Sequence, residues 1–130
     1  MPLDYTKLNA LVVDDDPVLQ LVIKKELQSV GITSTTASNG TEAIESLNNS
    51  KFDFILMDIS MPGQDGLDAA RWIRDMIDKA TNGIPIFAVT SFSSKEHTAE
   101  ILQAGFNEHF TKPFDLTKLL LSLDKYFWVI

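Results

Sequence analysis

Short, nearly continuous apolar runs alternate along this 130-residue chain with segments whose apolar residues recur at helical spacing. The runs at residues 10–13, 52–57 and 84–89 are typical of strands that are buried on both faces of a parallel sheet. Residues 33–37 are β-branched but polar, as in an edge strand, and residues 109–111 are a fifth, weaker strand candidate. This alternation limits the folds open to the chain more than any single residue does.

The segments with helical spacing carry recognisable start and stop residues. Asp16 suits an N-cap, Pro17 suits the first helical position, and Gly31 suits the end of that helix. Its apolar residues, predicted to face the core, are Leu19, Val22, Ile23, Leu27 and Val30. Four further helices are predicted after the turn at residues 39–40, over residues 67–77, after a capping box of Ser93 and Glu96, and over residues 115–126.

The resulting element order, a strand followed by a helix five times over, predicts the α/β class. Such an order gives a doubly wound parallel sheet with helices on both faces and right-handed crossovers. The chain has no internal repeat and no linker-like stretch, so we interpret residues 1–130 as one domain. A domain of this length buries about two-thirds of the surface that its unfolded chain exposes.

Composition excludes several classes of function. The chain has no cysteine, which rules out disulfides, thiolate metal sites and cysteine nucleophiles. Its net charge of −7 argues against a protein that binds nucleic-acid backbones, since these need a basic face. The apolar runs are too short to span a bilayer, and the first residues do not resemble a secretory signal. We therefore expect a cytoplasmic protein without membrane contact.

Charged and hydroxyl side chains follow the predicted strands where parallel α/β sheets place their working sites. The first predicted strand ends in Asp14-Asp15-Asp16, the third in Asp58 and the fourth in Thr90-Ser91, and the fifth runs into Lys112-Pro113. Two carboxylates about 5 Å apart repel by roughly 3 kcal/mol at an effective dielectric constant of about 20. A hard divalent cation would remove that conflict, and an all-oxygen site suits Mg²⁺.

These residue types also suit a phosphoryl acceptor. An aspartate can attack phosphorus to form an acyl phosphate, while a cation, an ammonium group and a hydroxyl stabilise the phosphoryl oxygens. The competing interpretation makes Lys112 a surface lysine and Thr90 an ordinary strand residue, and taken singly each is the better explanation. Asp16 is sufficiently explained as a helix cap.

Six short motifs are spread over nearly the whole chain. They are residues 11–17 (LVVDDDP), 54–63 (FILMDISMPG), Asp65-Gly66, 89–91 (VTS), Ala104-Gly105 and 112–114 (KPF). Each motif is weak alone, but the set, in this order and at this spacing, is highly specific. With these motifs the chain resembles the receiver domain of two-component response regulators. The resemblance implies a flavodoxin-like (βα)5 fold with the sheet order 2-1-3-4-5.

The resemblance also implies a role for each matching residue. Asp58 would be the phosphoacceptor, and Asp14 and Asp15 would bind Mg²⁺ together with the backbone carbonyl of Ser60. The remaining implied roles are the switch hydroxyl at Thr90, the phosphate-binding ammonium at Lys112, and a cis peptide bond before Pro113. One position departs from the family pattern, since His109 stands where Tyr or Phe is usual. It is either a polar form of the switch or a half-exposed strand residue.

The implied partners are a sensor histidine kinase or a histidine phosphotransfer protein as phosphodonor, and a downstream protein target. We expect no DNA-binding output domain, since no residues remain after the fifth helix for one. The protein would be no enzyme beyond catalysing its own phosphorylation and dephosphorylation. The apolar tail at residues 126–130 either docks a partner or packs on the core.

A phosphatase is the alternative. Asp14 and Asp16, with Val18, match the nucleophile motif of haloacid-dehalogenase-type phosphatases, in which Asp14 would attack phosphorus. Pro17 would interrupt the loop that such enzymes need, and no acid pair follows Lys112 to complete their metal site. Locating the labelled aspartate separates the two hypotheses.

Overall fold

The sheet is five-stranded and parallel, as the strand pattern predicts, with the order β2-β1-β3-β4-β5 that the resemblance implies. The computed structural model describes residues 4–59, 75, 84–90, 99, 101–103 and 105–127. Within those residues, no helix is both long and apolar enough to cross a membrane. The strands are β1 (Asn9–Val13), β2 (Thr33–Ala37), β3 (Phe54–Asp58), β4 (Ile86–Thr90) and β5 (Glu108–Thr111).

Three helices are bounded in the described part of the chain: α1 (Pro17–Ser29), α2 (Gly40–Asn49) and α3 (Leu116–Phe127). Asp16 caps α1 as predicted, since its carboxylate accepts a hydrogen bond of 2.9 Å from the N–H of Val18. Asn39 caps α2 through the N–H of Glu42, and Asp115 accepts from the N–H of Thr117. Capping satisfies N–H groups that have no partner inside the helix.

Both faces of the sheet are covered, which explains why its strands read as continuous apolar runs. Successive strand residues point to opposite faces, so alternate residues enter two separate cores. The core on the α2 side contains Leu11, Val13, Ile55, Met57, Ile86 and Ala88 with Ala43 and Ile44 of α2. The core on the other side contains Ala10, Val12, Phe54, Leu56, Phe87 and Val89 with Ile23 and Leu27 of α1 and Leu119 and Leu123 of α3.

The predicted starts of two strands were wrong. β3 and β4 each begin two residues later than the apolar runs at 52–57 and 84–89, whereas they end at Asp58 and Thr90, as predicted. Apolar Phe52 and Ile84 extended the predicted runs, but they only pack against the core beside the strands. Strand pairing sets the real bounds, because β1 first pairs with β3 at Ala10 and Phe54.

The predicted inward face of α1 was partly wrong. Ile23 and Leu27 are buried as predicted, but Val22 is 44% exposed. Two further apolar side chains of α1, Val18 and Leu21, are 66% and 52% exposed. The three form an exposed apolar patch, here called the α1 patch. Of the other predicted helices, most of residues 67–77 and the capping box of Ser93 and Glu96 lie outside the described residues.

An N-terminal 3-10 turn, Tyr5–Lys7, lies between α3 and the turn that follows α1. The hydroxyl of Tyr5 donates a hydrogen bond of 2.9 Å to Asp124 of α3. On the other side the turn meets Gly31, where the chain leaves α1 with φ at +90°. A Cβ atom at Gly31 would lie 2.7 Å from Cγ2 of Thr6, so glycine is required there for both conformation and space.

We predict that Gly31→Ala lowers the free energy of unfolding by about 1–2 kcal/mol through backbone strain alone, with an additional loss from the contact with Thr6. Adding Thr6→Ser removes the clashing methyl group but keeps the hydroxyl that donates to Asp4. In the double variant, the part of the loss that comes from the contact with Thr6 should disappear, and the part that comes from backbone strain should remain. Urea unfolding of the wild type, both single variants and the double variant measures each part. An equal loss with and without the Thr6 methyl group would contradict the close approach.

Candidate functional site

The carboxylates of Asp14, Asp15 and Asp58 meet at the carboxyl edge of the sheet. Val13 of β1 pairs with Met57 of β3, so the residues that come next, Asp14 and Asp58, lie side by side. One carboxylate oxygen from each of the three aspartates lies within 4.8 Å of the other two. Asp14 and Asp58 are buried, whereas Asp15 is exposed. The arrangement is an acidic cluster of two buried carboxylates and one exposed carboxylate.

The backbone holds Asp14 in place. Its N–H donates to the carbonyl oxygen of Ala37 at 3.0 Å, which joins the ends of β1 and β2. Its Oδ1 accepts a hydrogen bond of 2.9 Å from the N–H of Asp16. Burial raises the pKa of the Asp14 carboxyl from 3.8 to about 6, and the charge of Asp58 acts in the same direction. The Asp16 hydrogen bond and the Lys112 ammonium oppose this rise without cancelling it.

Lys112 and Thr90 stand beside the cluster on neighbouring strands. The Lys112 Nζ lies 3.1 Å from Oδ2 of Asp58, and its backbone N–H donates to the carbonyl oxygen of Thr90 at 2.8 Å. Thr90 is fully buried at the end of β4. The peptide bond between Lys112 and Pro113 is cis. The cationic group is therefore placed on Asp58, the aspartate at the end of β3.

The donor set suits a hard divalent cation. Among the described residues, three carboxylates lie within 4.8 Å of one another, two of them are buried, and the Lys112 ammonium pairs with Asp58. Oxygen ligands with room for water are what Mg²⁺ prefers. Asp14, Asp15 and Asp58 are thus able to hold such an ion. Ser60, whose backbone carbonyl is the third ligand implied by the resemblance, lies outside the described residues.

His109 is a half-buried residue of β5, opposite Ala88 of β4. Its neighbour Phe110 is buried in the core that contains α1 and α3, so His109 belongs to the other face of the sheet. This position is compatible with both sequence hypotheses for His109, and its role as a polar switch stays a prediction.

Sequence reasoning missed Gln20 of α1. Its Nε2 donates to the carbonyl oxygens of Asp14 and Ala37 and to the hydroxyl of Ser38. The only sequence signal is that a polar residue stands between Leu19 and Ile23, two residues of the predicted apolar face. Since the acceptors come from two different strand ends, the contact depends on the tertiary fold.

Comparison with known proteins identifies similar sequences over nearly the full length. A family model described as the response regulator receiver domain matches residues 10–124. The chain is 34% identical over 121 residues to the chemotaxis protein CheY of Pseudomonas aeruginosa, covering 92% of this chain and 96% of that protein. It is 36% identical over 121 residues to two-component response regulator 24 of Arabidopsis thaliana, covering 92% of this chain and 84% of that protein.

Solved structures are similar as well. The co-crystal structure of the Saccharomyces cerevisiae histidine phosphotransfer signalling protein Ypd1 with the receiver domain of Ssk1 matches with a TM-score of 0.84 and 27% identity. That match covers 92% of this chain and 88% of the other. Chemotaxis protein CheY4 of Vibrio cholerae matches with a TM-score of 0.81 and 28% identity, covering 91% of this chain and 97% of the other.

The raised pKa of Asp14 predicts how stability depends on pH in the metal-free protein. The folded state binds a proton at Asp14 more tightly than the unfolded chain, so this contribution to stability is present below about pH 4 and is lost as the pH rises through about 6. Asp14→Asn keeps the acceptor for the Asp16 N–H and removes the charge. The variant should be more stable than wild type at pH 7 by about 1–3 kcal/mol.

Urea unfolding in the presence of a chelator at several pH values measures this difference, which should shrink as the pH falls from 7 to 4. Asp15→Asn at the exposed neighbour controls for the general loss of one negative charge. A stability difference for Asp14→Asn that stays constant with pH would show that its carboxyl is not the titrating group.

Proposed function

This chain belongs to the response regulator receiver domain family, and from that premise we propose that Asp58 accepts a phosphoryl group from a phosphohistidine. As a member of the family it is a signalling module of two-component and phosphorelay systems. The observation that carries the proposal is the 3.1 Å contact between the Lys112 Nζ and Oδ2 of Asp58 at the edge of the acidic cluster. That contact favours Asp58 over the other two aspartates as acceptor.

In the proposed transfer a carboxylate oxygen of Asp58 forms a bond to phosphorus while the bond from phosphorus to the donor imidazole breaks. The imidazole nitrogen keeps the electron pair of that bond and takes up a proton. Lys112 then faces a phosphoryl oxygen as well as the carboxylate, and the Thr90 hydroxyl donates to another oxygen. Thr90 closes β4, which pairs with β3, and Lys112 directly follows β5, which pairs with β4.

Asp14 and Asp15 would hold the Mg²⁺ ion beside Asp58, with the backbone carbonyl of Ser60 as a further ligand. When bound, the ion neutralises charge on the carboxylates and the phosphoryl oxygens. Apart from this transfer and the hydrolysis of the resulting acyl phosphate to the Asp58 carboxylate and inorganic phosphate, we propose no catalytic activity. His109 stays the candidate switch residue that responds to Thr90.

The geometry does not favour the phosphatase alternative. That alternative needs Asp14 as nucleophile and Asp16 as acid, but Lys112 pairs with Asp58 and the Asp16 carboxylate caps α1. The similar proteins reported above are two chemotaxis proteins, a two-component response regulator and a receiver domain in complex with a histidine phosphotransfer protein. The receiver function explains why Lys112 pairs with Asp58. A phosphatase with Asp14 as nucleophile would not explain that pairing.

The output is proposed to be a protein partner rather than DNA or a membrane. We propose that residues 1–130 form one receiver domain. The family match over residues 10–124 and the two cores on one sheet support this proposal. A net charge of −7 opposes contact with nucleic acid or an anionic lipid surface. We propose that the protein is located in the cytoplasm, where ATP supplies the phosphoryl group of the donor histidine.

The α1 patch of Val18, Leu21 and Val22 is the proposed contact for the phosphodonor. A donor histidine must reach Asp58, and α1 begins immediately after the turn that carries Asp14 and Asp15. Spacing of three and four residues places the patch on one face of the helix. In the similar structure with Ypd1, the other chain is itself a histidine phosphotransfer protein. We propose a donor of that class with a matching apolar face.

We predict that Asp58→Asn abolishes labelling by a small phosphodonor such as acetyl phosphate in the presence of Mg²⁺, because the amide cannot attack phosphorus. Asp16→Asn is the matched control and should label normally, since asparagine also caps a helix. Mass spectrometry measures the added phosphoryl group, and borohydride reduction followed by peptide mapping locates it. A label on Asp14 would support the phosphatase instead.

We predict that Leu21→Glu slows phosphoryl transfer from a phosphorylated histidine phosphotransfer protein by about tenfold or more, as expected for an apolar contact at the centre of an interface. Labelling by acetyl phosphate should be unchanged, because Leu21 is 52% exposed and the acidic cluster stays intact. Leu121→Glu, at a position on α3 that is 66% exposed, is the matched control. Rapid-mixing transfer assays measure both rates. Equal slowing by the two variants would place the donor elsewhere.

A further inference from the structure

Gln20 connects two strand ends beside the acidic cluster. Its Nε2 donates to the backbone carbonyl oxygen of Asp14, to that of Ala37 at 3.2 Å and to Oγ of Ser38 at 3.3 Å. An amide nitrogen carries two hydrogens, so two of these three contacts share one of them. One side chain of α1 thus contacts both the turn after β1 and the loop after β2.

These contacts complete the hydrogen bonding around Asp14. Its N–H donates to Ala37, its carboxylate accepts from Asp16, and its carbonyl oxygen accepts from Gln20. The carbonyl of Ala37 accepts from both Asp14 and Gln20. Gln20 therefore holds the backbone carbonyl of Asp14, and the N–H of Asp16 holds its carboxylate. Asp14 thus has little freedom to rotate.

The loop after β2 is held by the same network. The hydroxyl of Ser38 accepts from Gln20, and its backbone N–H donates to Oε1 of Glu42 in the first turn of α2 at 3.2 Å. The network leads from the carboxylate turn through Gln20 to the start of α2. A displacement at either end must break or lengthen one of these hydrogen bonds.

We propose that Gln20 is a positioning residue for the cation-binding carboxylates Asp14 and Asp15, and that it couples the Ser38 loop to that site. The inference rests on the proposed function, since it assumes that these carboxylates bind Mg²⁺. Three carboxylates within 4.8 Å of one another repel when no cation is bound. A backbone that is held in place prevents them from moving apart, so less ordering is needed when the ion binds.

The test is the Mg²⁺ affinity of Gln20→Met, which keeps the length of the side chain and removes its donors. Isothermal titration with MgCl₂ should show binding about tenfold weaker than in wild type, a size typical for hydrogen bonds to metal-ligand residues. The matched control is Gln28→Met, at an exposed glutamine eight residues further along the same helix, and its affinity should match wild type. If Gln20→Met does not fold, Gln20→Asn, whose amide is one methylene shorter, carries the same expectation.

A second readout separates positioning from a purely structural role. On Mg²⁺ titration, the amide resonance of Ser38 should shift in wild type and in Gln28→Met, and it should stay unchanged in Gln20→Met. A purely structural residue would lower stability without changing either the affinity or this shift, and that result would overturn the inference. Wild-type protein that binds no Mg²⁺ would instead overturn the cation site of the proposed function.

Discussion

Burial of both faces of a parallel sheet leaves only its ends for polar chemistry. In this fold α1 and α3 cover one face and α2 packs against the other, so side chains within β1, β3 and β4 have almost no access to water. Parallel pairing aligns the strands so that they end at one edge. Residues that are far apart in the chain therefore meet there without any long loop having to bring them together.

Bringing these charged residues together at one edge of the sheet causes electrostatic repulsion. Two buried carboxylates and an exposed one stand within 4.8 Å of one another, with Lys112 paired to only one of them. Burial raises the pKa of the Asp14 carboxyl to about 6, and the neighbouring charge of Asp58 acts in the same direction. A sheet that only needed to be stable would have apolar or uncharged residues at these positions. The cation and the incoming phosphoryl group that we propose for this site would give these charges a function.

Much of this site could be predicted from sequence, because the rule for strand ends requires only that the strands are located. Asp14, Asp15, Asp58, Thr90 and Lys112 were found that way, even though β3 and β4 were predicted to begin two residues too early. A shift of that size was harmless because the polar residue itself marks the end of the buried run. The apolar face of α1 was predicted less well, since periodicity cannot tell that Val22 faces solvent while Ile23 packs on the sheet. Gln20 was not predicted at all, because its acceptors come together only when β1 and β2 pair.

The hydrogen bond between Tyr5 and Asp124 has a consequence for the order of events during synthesis. The first turn of the chain leaves the ribosome early, but its acceptor is made 119 residues later. The sheet order places β1 between β2 and β3, and all three strands are synthesised before α3. The N-terminal turn must wait for α3, and its docking therefore marks the completion of the domain.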